Sequence, residues 1–133
     1  MDQSRETKIL VVTGAAGRIA YSLLPFLCDG QIFGHNVFIE LRLLDIESCA
    51  GKLEGVKMEL EDSGLPFLIN IIVTTDPDIA FFNADVAILL GGFPRLPGME
   101  RRDLISKNID IMRAQVNWRY NLSQIFLNDF YPL

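Results

Sequence analysis

Gly14 with Gly17, Asp45, and the pair Arg95 and Arg101 are the residues of this chain whose types and spacing can do chemistry. The two glycines lie in Lys8-Ile-Leu-Val-Val-Thr-Gly-Ala-Ala-Gly-Arg-Ile-Ala20, where an apolar run breaks and a helical apolar pattern starts at once. Glycine lets backbone approach a ligand with no Cβ in the way. A helix that begins there aims its unpaired N–H groups and the positive end of its dipole at the same spot. The junction therefore suits an anion, and a nucleotide pyrophosphate is the usual occupant. As G-x-G-x-x-G/A the fingerprint is incomplete, because Val12 stands at the first glycine position and Gly14 and Gly17 at the second and third. Ala20 is small enough for close helix–strand packing. Taken alone, the same pattern also fits a tight turn in some other α/β protein.

Asp45 closes a second apolar run, 28 residues beyond Gly17. A carboxylate ending the second strand accepts hydrogen bonds from both adenosine ribose hydroxyls and repels a 2′-phosphate, which favours NAD over NADP. Arg95 and Arg101 lie six apart in Gly-Gly-Phe-Pro-Arg-Leu-Pro-Gly-Met-Glu-Arg-Arg-Asp-Leu. Two guanidinium forks closing over a dicarboxylate would neutralise its charge and fix its orientation by bidentate pairing.

Alternating elements must position these groups. Ile9 to Val12 reads as a buried strand and Ile19, Leu23, Leu24 and Leu27 as one helix face, with Pro25 inside it predicting a kink. Val37 to Asp45 is a second strand, and apolar residues at 53, 56 and 60 mark an amphipathic helix ended by Gly64-Leu65-Pro66. Ile69 to Thr75 is a third strand. Asp76 and Pro77 cap and start a short helix. Asp85 to Leu90 is a fourth strand, followed by the arginine loop and a helix from Asp103 with Ile105, Ile109 and Met112 on one face. Such alternation predicts a parallel sheet with right-handed crossovers. The expected fold is α/β, a partial Rossmann-type doubly wound sheet of about four strands with no second domain.

The chain has 133 residues, half of them hydrophobic, which suits one domain with a real core. Its net charge of −5 and scattered Lys and Arg argue against a nucleic-acid surface. No stretch reaches the roughly 18 apolar residues of a membrane span. The charged N-terminus has no apolar signal region, so a soluble cytoplasmic protein is expected. Cys28 and Cys49 have no metal spacing, no metal site is expected, and His35 reads as a surface loop residue.

Four stretches carry a family resemblance: Thr13-Gly-Ala-Ala-Gly-x-Ile-Ala, Leu43-Leu-Asp-Ile46, Met58-Glu-Leu-Glu-Asp62 and Pro94-Arg-x-x-Gly-Met-Glu-Arg-x-Asp-Leu104. Together they resemble the N-terminal domain of cytosolic-type NAD-dependent malate dehydrogenases, from about Lys8 to Gln115. The resemblance implies a phosphate turn formed by Gly14, Ala15, Ala16, Gly17, Arg18, Ile19 and Ala20, and Asp45 on the adenosine ribose. It implies that Arg95 selects a dicarboxylic substrate, that Arg101 binds a substrate carboxylate, and that Asn108 and Gln115 contact the cofactor. The implied cofactor is NAD, the implied substrates malate and oxaloacetate, and the family's assembly a homodimer. Arg18 departs from a usual glutamine, and Leu96-Pro97 replaces a more polar pair, which predicts a stiffer loop.

The chain after Gln115 does not resemble the family, whose fifth strand ends in Gly-Asn-Pro-Ala-Asn before a third substrate arginine and an Asp–His pair. Residues 1–115 are therefore expected to form an incomplete NAD-binding domain. Residues 116–133 are expected to be a non-family tail, disordered or helical, from a truncated transcript or gene model. With no histidine to carry the hydroxyl proton, the chain alone is expected to be inactive, with no catalytic residue of its own. Two other readings are open: a short-chain dehydrogenase or epimerase, which would need a later Tyr-x-x-x-Lys that is missing here, and a non-catalytic nucleotide-binding or dimerisation module.

Overall fold

The computed structural model describes residues 5–117 and 124–127. The chain runs β1 (Glu6–Thr13), α1 (Arg18–Cys28), β2 (Val37–Leu44), a 3-10 turn (Glu47–Cys49), α2 (Ala50–Asp62), β3 (Leu68–Thr74), α3 (Pro77–Phe81), β4 (Val86–Leu89), α4 (Arg101–Asn117) and β5 (Gln124–Leu127). The strands form one sheet in the order β3-β2-β1-β4-β5, and every neighbouring pair is parallel. β1 is central, and its last four residues, Leu10 to Thr13, are buried. From β1 the chain winds outward through β2 and β3 and then returns to β1's other side with β4. The order thus reverses between β1 and β4, which opens a crevice beyond their carboxyl ends.

Period-two alternation of side chains explains the two layers. Leu10, Val12, Leu41, Leu43, Ile71, Val86 and Ile88 pack with Leu24, Leu27, Leu53 and Leu60 of α1 and α2. Val11, Leu44, Ala87 and Leu89 pack on the opposite side with Ala80 and Phe81 of α3. Both faces of the central strands are covered, so these strands read as continuous apolar runs. The helix caps follow the sequence: the Asp78 amide donates to Asp76 Oδ1 at 2.9 Å, and Pro77 opens α3. α1 continues through Pro25 to Cys28.

The structure differs from the sequence expectation in three places. A fifth parallel strand, β5, pairs with β4 from Val86↔Gln124 to Leu89↔Leu127, within the stretch expected to be disordered or helical. The rest of that stretch, residues 118–123 and 128–133, lies outside the described residues. α2 begins three residues earlier than its apolar pattern, after the 3-10 turn. Finally, the stripe Ile105 and Ile109 on α4 is 54% and 46% exposed, while among that helix's residues of described burial Leu104 and Asn108 are the buried ones.

A charged side chain is built into the α3 layer. Arg42 of β2 is 7% exposed. Its Nε donates to Glu40 Oε1 at 3.0 Å, and its guanidinium also donates to the carbonyls of Ile79 (3.1 Å), Ala80 (3.2 Å) and Phe82. Those carbonyls lie at the C-terminal end of α3 and its cap, where a helix supplies no N–H donors of its own and carries the negative end of its dipole.

Burial also decides the reactivity of the cysteines. Cys28 is fully buried in α1, and burial, with the Asp29 carboxylate adding to it, pushes its thiol up to about 12. Only a thiolate is a nucleophile. Iodoacetamide at pH 8 is therefore expected to label the half-buried Cys49 and to leave Cys28 unmodified until the chain is unfolded, as read by peptide mass. The sign for stability follows from the raised value. The unfolded chain releases the thiol proton near its ordinary value of about 8.5, so stability falls as pH rises from there towards 12.

Candidate functional site

The crevice at the β1/β4 reversal is assembled from backbone. Thr13 ends β1 with its side chain 1% exposed. Gly14 then takes φ +63°, and a Cβ on it would lie 2.6 Å from the Gly91 nitrogen and 2.7 Å from the Gly91 Cα. Glycine is required there both by the left-handed backbone and by contact with the chain leaving β4. The next amides are tied internally: Ala15 donates to the Leu44 carbonyl at 3.2 Å, Ala16 to Asp45 Oδ2 at 2.9 Å, and Gly17 to the Gly14 carbonyl at 3.0 Å.

α1 starts at Arg18 with Gly17 as its N-cap, and no side chain caps it. Its first intrahelical bond runs from the Tyr21 amide to the Gly17 carbonyl at 3.1 Å. By helix geometry the amides of Arg18, Ile19 and Ala20 have no acceptor within the helix. Gly17, Arg18 and Ile19 are exposed, whereas Ala15, Ala16 and Ala20 are buried and shape the turn through packing. The combination leaves unpaired donors and a positive dipole end at this turn, with Arg18 exposed as the first helical residue.

Asp45 follows β2 directly and is half-buried, with Ile46 exposed beside it. Besides the Ala16 contact, its Oδ1 accepts from the Ile46 amide at 2.8 Å. Its own amide donates to the Thr74 carbonyl at 3.4 Å, and the Thr75 hydroxyl donates to Glu47 at 2.7 Å. These bonds join the carboxyl ends of β2 and β3, and a hollow of about 260 Å3 lies between the start of α2 and the end of β3, lined by Ala50, Leu53, Glu54, Val73, Thr74 and Thr75.

On the other side of the crevice, α4 grips the segment after β4. The Asn108 side chain is 7% exposed and accepts from the Phe93 amide at 2.7 Å. Gln115 Oε1 lies 3.5 Å from the Thr13 hydroxyl, which in turn accepts from the Gly91 amide at 3.4 Å. Lys107 sits 4.1 Å above the Phe93 ring, a cation–π contact. The loop beyond turns sharply: Gly98 has φ +80°, and the Met99 amide donates to the Leu96 carbonyl at 3.1 Å. Proline second and glycine third make this a type II turn. Arg95 before the turn and Arg101, the first residue of α4, are both exposed. Among the described residues neither is ion-paired.

The structure thus gathers Gly14 to Ala20 and Asp45 on one side of the crevice, and Asn108 and Gln115 on the other, with the arginine loop rising from its rim. Asn108 and Gln115 both engage the chain around Gly91. Thr13, Phe93 and Lys107 hold the same junction and had no distinguishing signal in sequence, since a threonine ending a strand or a lysine on a helix is ordinary by type. His35 is exposed, with its ring 5.5 Å from that of Phe67.

Comparisons with known proteins agree with this architecture. Residues 7–125 match the family model described as lactate/malate dehydrogenase, NAD binding domain, so the match runs ten residues beyond Gln115. The chain is 51% identical over 106 residues to human cytoplasmic malate dehydrogenase, covering 80% of this chain and 32% of that protein. It superposes on malate dehydrogenase from Naegleria fowleri with a TM-score of 0.83 at 43% identity, over 92% of this chain and 39% of the other. Trichomonas vaginalis lactate dehydrogenase in complex with NADH and oxamate gives 0.78 at 34% identity, over 89% and 37%. The chain spans about a third of the length of the curated relatives it matches. With the doubly wound parallel sheet, the glycine turn and the acid after β2 in place, the chain belongs to the lactate/malate dehydrogenase NAD-binding domain family.

Proposed function

We propose that this chain is the NAD-binding part of a malate-type dehydrogenase. The observation that carries the reading is the first turn of α1, which no side chain caps and which follows a glycine turn bonded to the Asp45 carboxylate. The pyrophosphate is held by the amides of Arg18, Ile19 and Ala20 and by the Arg18 guanidinium, with Gly14 and Gly17 allowing close approach. Asp45 takes the ribose hydroxyls, and the hollow between the start of α2 and the end of β3 takes the flat base. When bound, the nicotinamide gives or accepts the hydride.

Arg95 and Arg101 are the groups we assign to a dicarboxylic substrate, malate or oxaloacetate. Both are exposed and unpaired among the described residues, so neither needs to be released from an internal acid before it grips a carboxylate. Asn108 and Gln115 support the cofactor side through the Gly91–Phe93 backbone. By the same likeness to its relatives we place the protein in the cytoplasm and its assembly as a homodimer. Of the described residues, none presents an imidazole to the crevice, since His35 lies beyond α1 against Phe67.

Titration calorimetry tests the cofactor reading. NAD and ADP are expected to bind at one site, and NADP at least about tenfold more weakly because Asp45 repels its 2′-phosphate. Equal affinity for NADP, or no binding of ADP, would overturn the assignment.

A further inference from the structure

Asp45 is assigned above to the ribose, yet its carboxylate is engaged by the chain itself. Oδ2 accepts from the Ala16 amide at 2.9 Å, 29 residues earlier in sequence, and Oδ1 accepts from the Ile46 amide at 2.8 Å. An ionised carboxylate has about four lone-pair sites. Two amides occupy two of them, and a vicinal diol needs the remaining two. One side chain can therefore bind the turn and the ribose at once without exchanging partners.

The geometry points to Asp45 as a positioning residue for the phosphate turn, acting through the Ala16 amide on the direction in which α1 presents its first N–H groups. The inference rests on the nucleotide reading for what those N–H groups hold. Of the three turn amides with acceptors, Ala15 and Gly17 use backbone carbonyls, and only Ala16 uses a side chain. Ala15 and Ala16 are buried, so an Ala16 amide released from Asp45 has no acceptor unless the turn shifts to find one. Such a shift moves the Gly17 N-cap and the start of α1 with it.

The experiment measures binding of ADP and of 2′,3′-dideoxy-ADP to the full 133-residue chain and to Asp45→Ala and Asp45→Asn variants, each first checked for wild-type circular dichroism. A residue that only held the ribose would be indifferent to the dideoxy compound, or would bind it better once a negative charge near the phosphates is gone. A positioning residue gives the opposite sign. Asp45→Ala is expected to weaken dideoxy-ADP about tenfold. Asp45→Asn keeps an oxygen that can accept from Ala16, so it is expected to restore dideoxy-ADP to within about threefold of wild type while ADP itself stays weakened. Dideoxy-ADP binding to Asp45→Ala at wild-type strength or tighter would overturn the inference. If the wild-type chain binds no ADP, the nucleotide reading fails. Positioning is then decided by hydrogen exchange at the Ala16 amide, expected to be at least about tenfold faster in Asp45→Ala and unchanged if the inference is wrong.

Discussion

Alanine at position 14 is expected to cost about 3 kcal/mol of folding stability, lowering the melting temperature by roughly 10 °C. Two effects add. The backbone at Gly14 has φ +63°, a region that an L side chain occupies only under strain. The new Cβ would also stand 2.6 Å from the Gly91 nitrogen and 2.9 Å from the Leu90 carbonyl carbon, both main-chain atoms that cannot rotate away. Relief requires β1 and β4 to part at their carboxyl ends, where the crevice lies, so nucleotide binding should fall with stability. Gly17→Ala is the control. Gly17 has φ −81°, and its nearest contact would be the Gly14 carbonyl oxygen at 3.1 Å, so a loss below about 1 kcal/mol is expected. Urea unfolding of the three proteins checks both values; equal midpoints for Gly14→Ala and wild type would show that β1 and β4 are not in contact through this glycine.

What sequence made legible is what local pattern controls. The glycine turn, the acid after β2 and the Asp76-Pro77 cap each depend on a few neighbouring residues whose backbone needs are set by residue type. Their order along the chain predicted a doubly wound parallel sheet, and the sheet is there. Contacts between distant residues were not legible. The stripe Ile105 and Ile109 is a sound helical pattern, but α4 turns Leu104 and Asn108 inward because Asn108 finds an amide acceptor role at Phe93. By periodicity alone nothing marks Asn108, between Lys107 and Ile109, as an inward position until that amide is in place. β5 escaped for a related reason: a four-residue strand at the sheet margin is defined by pairing with β4, 38 residues away, more than by its own composition. For the site, type and spacing picked out the glycine turn and the acid after β2. They could not show that the two are joined through the Ala16 amide.

Arg42 is the clearest such distant contact; in sequence it is one of two charges, with Glu40, in an otherwise apolar strand. Its replacement by methionine, similar in length and without charge, is expected to destabilise the chain by about 3 to 4 kcal/mol. The loss has two sources. Glu40, only 22% exposed in its side chain, keeps its charge with no partner, and the carbonyls of Ile79, Ala80 and Phe82 lose their donor. Arg42→Lys should recover less than half, since one ammonium cannot reach Glu40 and the end of α3 together as a planar fork does. Adding Glu40→Leu to Arg42→Met removes the stranded carboxylate and is expected to return about 1 to 2 kcal/mol, leaving the carbonyl deficit in place. A four-member denaturation cycle separates these contributions. If Arg42→Met costs no more than about 0.5 kcal/mol, the guanidinium is not what fastens α3 to β2. If the double variant is worse than the single one, the two sites are not coupled as an ion pair. Arg42 lies on the α3 side of β2, away from Asp45 and the glycine turn, so ADP affinity should stay within about twofold of wild type wherever the variant remains folded.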